Sequence, residues 1–431
     1  MSQKHVLIVT YYWPPAGGPG VQRWLKFTKY LPQNGISPIV YCPENPNYPI
    51  EDPSLEDSIS DQVEVIKQRI SEPYKIASLL SSSKTKTISS GLIPKTKDQS
   101  IIDRLLLFIR GNLFIPDARK NWVNPSVKYL SKVIQSRKIQ CIITTGPPQS
   151  LHLIGLKIKE QLGTCWIADF RDPWTTIGYQ KSLKLLESSK RKHEYLERAV
   201  LRGADALIVT SWNTKKEFLT KTDKPIKVIT NGYDTHGQAQ LPLDEQFSLY
   251  HIGSLLSERN PKILWETLSE LIQTHPEFAK LFKLNLVGVV SEEILQQINE
   301  YGLKDHTNVL GYVSHEEALA YQMKAQLLLL IEIDSVETKA IIPGKVFEYM
   351  QSGRPIIAIG PEDSDIEHVL KETETGHYFN YHNKRELKNY LLECFKLYRQ
   401  GKLYNHAKNL EKYSRKELTE ELASLLNEYI H

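Results

Sequence analysis

A chain of 431 residues is about twice as long as a typical single domain, so two domains are expected. With 41% hydrophobic and 24% charged residues, the composition is typical of a globular protein that has enough apolar material for two cores. The formal net charge of +4, without a dense basic stripe, argues against a nucleic-acid partner.

Short apolar runs alternate with amphipathic stretches along the whole chain. In the first half, the predicted strands are residues 5–10, 38–41, 140–144, 165–169, 206–210 and 226–229. A second series follows at residues 248–252, 284–287, 308–310, 326–331 and 355–359. Continuous apolar strands are typical of parallel sheets covered by helices on both faces, so the pattern predicts two doubly wound α/β domains.

The two series are separated near residues 234–244, where Gly, Gln, Pro and Asp interrupt the apolar pattern. We therefore predict one domain over residues 1–240 and a second over residues 241–404. Residues 405–431 are charged and amphipathic, and we expect them to form a helix.

The first apolar run, residues 6–9, is too short for a signal peptide or a membrane span. The four cysteines are widely scattered, and no pair of them has metal-ligand spacing. The 13 histidines also lack paired metal-binding spacing, so we expect no metal site. These features favour a cytoplasmic protein with free thiols.

A Ser/Lys/Thr-rich stretch at residues 81–97 predicts a mobile loop. The segment after it, residues 101–114, would form a helix with a wide apolar face, and four basic residues lie nearby: Arg104, Arg110, Arg119 and Lys120. Two interpretations are open. The helix either packs against the core, or it rests on an anionic membrane through residues 101–120.

Gly17, Gly18 and Gly20 lie between the first predicted strand and the first helix. Glycines at this position let backbone N–H groups approach a phosphate or a sugar at the helix N-terminus. The pattern is not the dinucleotide fingerprint, because Arg23 occupies the place of its third glycine. A plain turn between strand and helix is the alternative.

Three charged residues, Asp169, Arg171 and Asp172, come at the carboxyl end of a predicted buried strand. Ligands bind at the carboxyl ends of strands in open α/β sheets, which makes these residues site candidates. The alternative is an Asp–Arg pair that closes a loop.

In the second half, Pro343 and Gly344 open a predicted helix that ends at Gly353. The N–H groups at the start of this helix, together with Lys345, suit a diphosphate. Glu348 shares a helix face with Lys345 and could accept both hydroxyl groups of a ribose. The alternative is an ordinary surface Lys–Glu pair.

Arg259 follows the small-residue turn at Gly253 and Ser254, and it is either a second phosphate-binding cation or a solvated arginine.

Asp363 and Asp365 have the spacing of a metal-binding D-x-D motif, but we expect Asp365 to cap the next helix.

The motifs of this sequence resemble those of glycosyltransferase family 4, a large group of retaining enzymes with the GT-B fold. The block at residues 343–357 is similar to the P-x-K-x-x-E-Y-x-x-x-G-x-P-V-I pattern of a subgroup that builds bacterial surface polysaccharides. Further similarities lie at residues 12–15, 171–174, 228–234 and 308–313, in the order that the family has.

The resemblance implies two Rossmann-like domains that face a cleft, with a C-terminal helix that crosses back to the first domain. The acceptor would bind to residues 1–240 and the nucleotide sugar to residues 241–404. The implied catalytic residues are Asp172, Arg259 and Lys345. The implied donor-binding residues are Gly17, Gly18, Gly253, Val309, Gly311, Pro343, Gly344 and Glu348.

The implied reaction is a metal-independent transfer of a hexose, with retention, from a UDP- or GDP-sugar to a saccharide or lipid-linked acceptor. This reaction would contribute to the synthesis of surface polysaccharide at the inner face of the membrane, and it would need no cofactor. Two alternatives stay open: a GT-B nucleotide-sugar epimerase, and a non-catalytic protein that binds nucleotide sugars or glycolipids.

The chain departs from the family pattern at two positions. Ala340 stands where the first of two glutamates would be, and Ser254 stands where an arginine often follows the glycine. The loss of that arginine places more of the expected phosphate binding on Arg259 and Lys345.

Overall fold

The computed structural model describes residues 4–72, 101–178, 180, 183–234 and 241–430. The chain divides into two compact units. The first comprises Met1–Asn231 and Arg415–His431, and the second comprises Gly232–Ser414. The predicted loop at residues 81–97 and part of the predicted join at residues 234–244 lie outside the described residues.

Within its described residues, the first unit contains seven parallel strands: β1 (Lys4–Val9), β2 (Ile36–Pro43), β3 (Glu64–Gln68), β4 (Cys141–Gly146), β5 (Cys165–Phe170), β6 (Ala206–Val209) and β7 (Ile226–Val228). They form one sheet in the order β3-β2-β1-β4-β5-β6-β7. The helices in the described part of this unit are α1 (Pro19–Tyr30), α2 (Ile101–Leu113), α3 (Val123–Arg137), α4 (Ser150–Leu162), α5 (Glu187–Gly203), α6 (Trp212–Leu219) and the C-terminal helix (Arg415–Asn427).

The two faces of this sheet bury different side chains, because neighbouring residues of a strand point in opposite directions. Val6 and Ile8 of β1 pack in the core that contains residues of α1 and the C-terminal helix. Leu7 and Val9 pack in the opposite core with residues of α3 and α4. Burial on both faces explains why the strands are continuous apolar runs in the sequence.

The second unit contains six parallel strands: β8 (Phe247–Ile252), β9 (Phe282–Val287), β10 (Thr307–Gly311), β11 (Leu327–Ile331), β12 (Ile356–Gly360) and β13 (Gly376–Asn380). Their order in the sheet is β10-β9-β8-β11-β12-β13. The helices are α7 (Lys262–Thr274), α8 (Pro276–Leu281), α9 (Glu292–Glu300), α10 (His315–Lys324), α11 (Gly344–Gln351), α12 (Asp365–Thr373) and α13 (Lys384–Arg399). Both units are therefore doubly wound α/β structures, as predicted.

The strands β3 and β13 are absent from the prediction, and both lie at an edge of their sheet. Their sequences, EVIKQ and GHYFN, mix polar and apolar residues, and both strands are only partly buried. An edge strand leaves part of its surface in solvent, so its sequence lacks the continuous apolar run on which the prediction relied.

The C-terminal helix packs against α1 in the first unit, as the family resemblance implied. It begins at Arg415 rather than near residue 405. The residues before it are bound to α12 instead: Lys408 N donates to Thr373 O at 2.8 Å, and Lys412 Nζ lies 2.7 Å from Glu372 Oε1. These contacts within the second unit delay the start of the helix.

The predicted helix after residue 100 is present as α2. Across the described ranges, no helix combines the length and apolar character needed to cross a membrane.

A buried ion pair connects α1 with β5. Arg23 Nη2 lies 2.9 Å from Asp169 Oδ1, and both side chains are at most 1% exposed. Asp169 Oδ2 also accepts hydrogen bonds from Trp24 Nε1 and Thr145 Oγ1, each at 2.8 Å. Burial raises the pKa of Asp169, but the charge and hydrogen bonds of Arg23 outweigh burial and hold this pKa below its ordinary value. The ionised carboxylate therefore fixes α1 to the ends of β4 and β5.

We predict that Asp169→Asn lowers the free energy of unfolding by about 3–5 kcal/mol, because it leaves the buried Arg23 guanidinium without a charged partner. Urea denaturation measures this loss. The control is Glu64→Gln, which breaks the half-exposed Arg137–Glu64 pair and should cost less than about 1 kcal/mol. Equal losses in the two variants would contradict the structural role of the buried pair.

Candidate functional site

The sheet of the second unit reverses its direction of growth at β8. From β8 the chain adds β9 and β10 on one side, and then returns to add β11, β12 and β13 on the other. In open α/β sheets, ligands bind outside the carboxyl ends of the strands that flank such a reversal, because the connections diverge there and leave a crevice. The residues that follow β8 and β11 therefore define the candidate site of this unit.

The first turn of α11 lies against the end of β8. Lys345 Nζ donates to Ile252 O at 3.4 Å, and Tyr349 OH accepts from Ile252 N at 3.0 Å. Lys345 and Tyr349 are four residues apart and thus share one face of the helix. A Cβ atom added to Gly253 would lie 3.0 Å from Lys345 Nζ. Two predicted site residues, Gly253 and Lys345, are thus neighbours.

Lys345 and Arg259 act on each other electrostatically. Burial and then the charge of Arg259 lower the pKa of Lys345 to about 8, and the carboxylate of Glu348 partly opposes this effect. Arg259 ends a short 3-10 helix (Ser257–Arg259), and its Nε is buried without a hydrogen-bond partner among the described residues. Because these cations repel each other, an anion that binds both would relieve the repulsion.

A row of glycine backbone crosses the carboxyl ends of β8, β9 and β10. Gly253 N donates to Val287 O at 2.8 Å, and Gly288 N donates to Gly311 O at 2.6 Å. Gly288 packs so closely on its neighbour that an added Cβ would lie 2.6 Å from Gly253 O, so this position requires glycine. Gly253 and Gly311 are predicted site residues, whereas Gly288 is not. Because glycine has no side chain, a ligand can approach the backbone of this row closely.

The remaining residues predicted on α11 lie in its first two turns. Pro343 is the N-cap residue, and Gly344 is the first helical residue, with no atom within 4 Å of an added Cβ. Glu348 Oε2 accepts from Gln322 Nε2 of α10 at 3.3 Å. The helix start is thus open to a ligand, and Glu348 is oriented by a neighbouring helix.

Val309 lies on the edge strand β10 and is 50% exposed. Its neighbours Leu310 and Tyr312 are also exposed, which leaves a small apolar surface beside Gly311. Such a surface can pack against the flat face of a planar ligand.

Sequence reasoning missed Glu332, which begins the connection from β11 to α11. Its side chain is buried, and its Oε2 accepts from Ser364 Oγ at 2.8 Å and from Tyr378 OH at 2.7 Å. Its Oε1 has no hydrogen-bond partner among the described residues. Burial raises the pKa of Glu332 to about 8, although the hydrogen bonds from Tyr378 and Ser364 oppose this rise. A buried carboxyl group with a raised pKa therefore lies just after the carboxyl end of β11, within the electrostatic influence of Arg259.

One signal could have identified Glu332: it is a charged residue directly after the continuous apolar strand β11. The same signal led to Asp172 in the first half of the chain.

The expectation that Asp365 caps the next helix is wrong. Ser364 is the N-cap residue of α12, and its Oγ accepts from Ile366 N at 3.2 Å while it donates to Glu332. Asp365 is the first residue of the helix. Within the described residues, no group of three or more His, Cys, Asp or Glu side chains is arranged to hold a metal ion.

The sheet of the first unit has its own reversal, between β1 and β4. The turn after β1 contains Gly17, whose N donates to Ile50 O at 2.9 Å, and Gly18, which is the N-cap residue of α1. No atom lies within 4 Å of a Cβ added to Gly18. These two predicted residues therefore lie at the carboxyl edge of this sheet, beside the start of α1.

Arg171, just after β5, contacts the start of α1 and the end of β4 at the same edge. Its Nη1 donates to Gly20 O at 2.9 Å, and its Nε donates to Gly146 O at 3.3 Å. A Cβ added to Gly20 would meet Nη1, so a side chain here would displace the Arg171 guanidinium. Burial raises the pKa of the adjacent Asp172, and the charge of Arg171 opposes that rise. The predicted site residues thus fall into two groups, one in each unit.

Comparison with known proteins connects the second unit to an enzyme family. Residues 246–396 match the family model Glycosyl transferases group 1. This segment contains Gly253, Arg259, Lys345 and Glu348. Among curated proteins, none has a significant sequence match to the chain.

Solved structures similar to this chain include TarM, with a TM-score of 0.60 and 13% identity over 99% of both chains. Sucrose-phosphate synthase from Thermosynechococcus elongatus has a TM-score of 0.59 and 16% identity over 99% of this chain and 98% of its own. HepE from Anabaena, in complex with UDP, has a TM-score of 0.58 and 16% identity over 99% of this chain and 100% of its own. The chain has the GT-B fold that these similarities define. Together with the family match, the fold supports a glycosyltransferase.

We predict that Glu332→Gln becomes more stable relative to the wild type as the pH rises from 5 to 8. The unfolded chain releases the Glu332 proton near its ordinary pKa of 4.5, whereas the folded protein retains it up to about 8. The free energy of unfolding therefore falls with pH over this window, and glutamine removes this contribution. Urea denaturation at both pH values measures the difference.

The control is Glu197→Gln, which breaks a buried pair with Lys221 at 2.8 Å and should destabilise the protein at both pH values. If the difference between Glu332→Gln and the wild type were the same at pH 5 and pH 8, the raised pKa of Glu332 would be contradicted.

Proposed function

We propose that this protein is a retaining, metal-independent glycosyltransferase of family 4. It transfers a hexose from a UDP- or GDP-sugar to a saccharide or lipid-linked acceptor in the synthesis of surface polysaccharide. The donor binds to the second unit, and the acceptor binds to the first unit.

The observation that carries this proposal is the packing of Lys345 against Ile252 and Gly253 at the strand reversal of the second unit, where the charge of Arg259 also acts on Lys345. A diphosphate offers the anionic oxygens that two such cations favour, and the start of α11 and the glycine row leave its approach open. Glu348, one turn further along α11, has a carboxylate suited to the hydroxyl groups of a ribose. HepE, which has a related fold, was solved with UDP and with UDP-glucose, and this supports a donor of the same type here.

In the proposed reaction, the bond between the anomeric carbon and the diphosphate oxygen breaks, and the diphosphate acquires negative charge. Protonated Lys345 and Arg259 stabilise that charge, and the loss of either should cost about 3 kcal/mol of transition-state stabilisation. The leaving diphosphate takes the proton of the acceptor hydroxyl group, which attacks from the same face of the sugar and so retains the configuration. Asp172 orients the acceptor, and Gly17 and Gly18 leave space for the reacting groups.

We predict that UDP or GDP, and the corresponding sugars, bind to the wild type and bind about 10- to 100-fold more weakly to Lys345→Ala and Glu348→Ala, because each loses a hydrogen bond to a charged group. Isothermal titration calorimetry measures these affinities. The matched control is Lys388→Ala, since Lys388 is also a partly buried lysine of the second unit but pairs with Glu270 on α7.

The affinity of the wild type for the nucleotide should fall above pH 8, because Lys345 loses its proton there, whereas Lys345→Arg should show no such fall.

If no nucleotide of the panel bound, or if Lys388→Ala weakened binding as much as Lys345→Ala, the donor site would be refuted. Product analysis with the donor alone separates the alternatives, because an epimerase converts or hydrolyses its donor without an acceptor. A non-catalytic protein would bind the donor and release no product with any acceptor.

We also propose that α2 makes a peripheral contact with an anionic membrane at its inner face. Leu105, Phe108 and Leu113 of α2 are 55%, 38% and 62% exposed. Leu186, which is 50% exposed, lies beside them, because its N donates to Asn112 Oδ1 at 2.8 Å.

Lys120 lies beside Leu113, because its Nζ donates to Leu113 O, whereas Arg119 is buried in a pair with Glu72 at 2.9 Å and does not contribute to this surface. Exposed apolar side chains with a basic neighbour are typical of surfaces that rest on anionic lipid.

The combined substitution Phe108→Ser and Leu113→Ser should reduce binding to phosphatidylglycerol vesicles at least about fivefold, because it removes apolar area from the contact. Vesicle co-sedimentation measures the bound fraction. Leu219→Ser, at another exposed leucine of the first unit, is the control and should have no effect. Failure of the wild type to bind these vesicles would rule out the contact.

A further inference from the structure

A cavity lies away from the proposed donor site, at the amino ends of β12 and β13. Its volume is about 590 Å³, within the range of small-molecule sites. Parts of α12, α13 and residues 403–406 form its walls. The residues proposed to bind the donor lie at the carboxyl ends of the same sheet, and none of them lines this cavity.

Hydrogen bonds to backbone carbonyl groups hold the outer wall of this cavity in place. Asn405 N donates to Gly353 O at 3.1 Å, and its Nδ2 donates to Arg354 O at 3.1 Å. Lys408 N, just beyond the wall, donates to Thr373 O at 2.8 Å. A wall that is already ordered lowers the entropy cost of binding a ligand.

Two pairs of aromatic rings line the cavity. The His377 and Tyr390 rings are 4.3 Å apart, and the Tyr404 and His406 rings are 4.9 Å apart. Tyr404 is 51% exposed, so its ring presents a large part of its surface. Burial lowers the pKa of His377, and the charge of Glu393 opposes this effect. These rings offer apolar surfaces with polar atoms at their edges.

The charged groups of the lining disfavour an anion. Glu367, Glu374 and Glu393 outnumber Lys371, and Glu374 is already paired with Lys408 at 2.8 Å. A second nucleotide or phosphate would meet net repulsion here. With Glu374 paired, only Glu367 and Glu393 remain opposite Lys371, so the lining offers a cationic ligand little net charge. Carboxylates and an asparagine beside aromatic rings instead suit an uncharged ligand with many hydroxyl groups, since the carboxylates accept hydrogen bonds while the rings cover its apolar faces.

We propose that this cavity binds a saccharide at a non-catalytic site. The inference goes beyond the proposed donor site and does not depend on it. In a glycosyltransferase, such a site would retain a saccharide chain away from the reacting centre and raise its effective concentration.

The test is saturation-transfer NMR and calorimetry with methyl glycosides of glucose, galactose, mannose and N-acetylglucosamine, together with maltose, cellobiose and lactose. At least one of these probes should bind to the wild type, and Tyr404→Ala should weaken that binding at least about tenfold by removing a ring surface. Glu393→Gln should also weaken it. Tyr195→Ala, at a tyrosine of the first unit that is 71% exposed, is the control and should bind as the wild type does.

Three results would overturn this inference: no probe binds to the wild type, Tyr404→Ala binds as tightly as the wild type, or spermidine binds here in place of every saccharide. UDP affinity, measured in parallel, should be the same in Tyr404→Ala and the wild type. Loss of UDP binding in the wild type would refute the proposed donor site alone, so the two failures are distinguishable.

Discussion

The reversal of strand order within each parallel sheet is the constraint on which the rest of the structure depends. Parallel strands require crossover connections, and β8 and β11 are adjacent only because the chain returns past β8 after completing β10. This adjacency places the end of β8 beside the start of α11, where Ile252 O accepts from Lys345. It also explains why Lys345 has a lowered pKa, since the same packing that buries its amino group brings it near Arg259. An anion that binds both cations is the chemical consequence.

The sequence predicts those features whose physical cause is local. A strand buried on both faces must be apolar throughout, so β11 and β12 are evident as continuous runs. The start of α11 is evident because proline and glycine open a helix in a characteristic way, and Lys345 follows from its position there. The edge strands β3 and β13 escape this reasoning, since only part of each is buried.

Features that depend on distant parts of the chain could not be predicted. In the sequence, Arg23 stands out only because it replaces the third glycine of the dinucleotide fingerprint. In the structure it forms a buried pair with Asp169, 146 residues away. The need for glycine at Gly288 comes from its packing on Gly253. Glu332 draws its raised pKa from its buried surroundings, in which Ser364 and Tyr378 lie on two other elements. The roles of Lys345, Arg259 and Glu348 in binding a donor stay predictions, because geometry alone does not identify a ligand.

The most direct measurement of the central claim is a crystal structure of the chain with UDP or GDP bound. The account predicts the diphosphate at the start of α11, within hydrogen-bond distance of Lys345 and Arg259, and the ribose hydroxyl groups on Glu348. A nucleotide bound elsewhere, with Lys345 still donating to Ile252 and Arg259 unchanged, would contradict it.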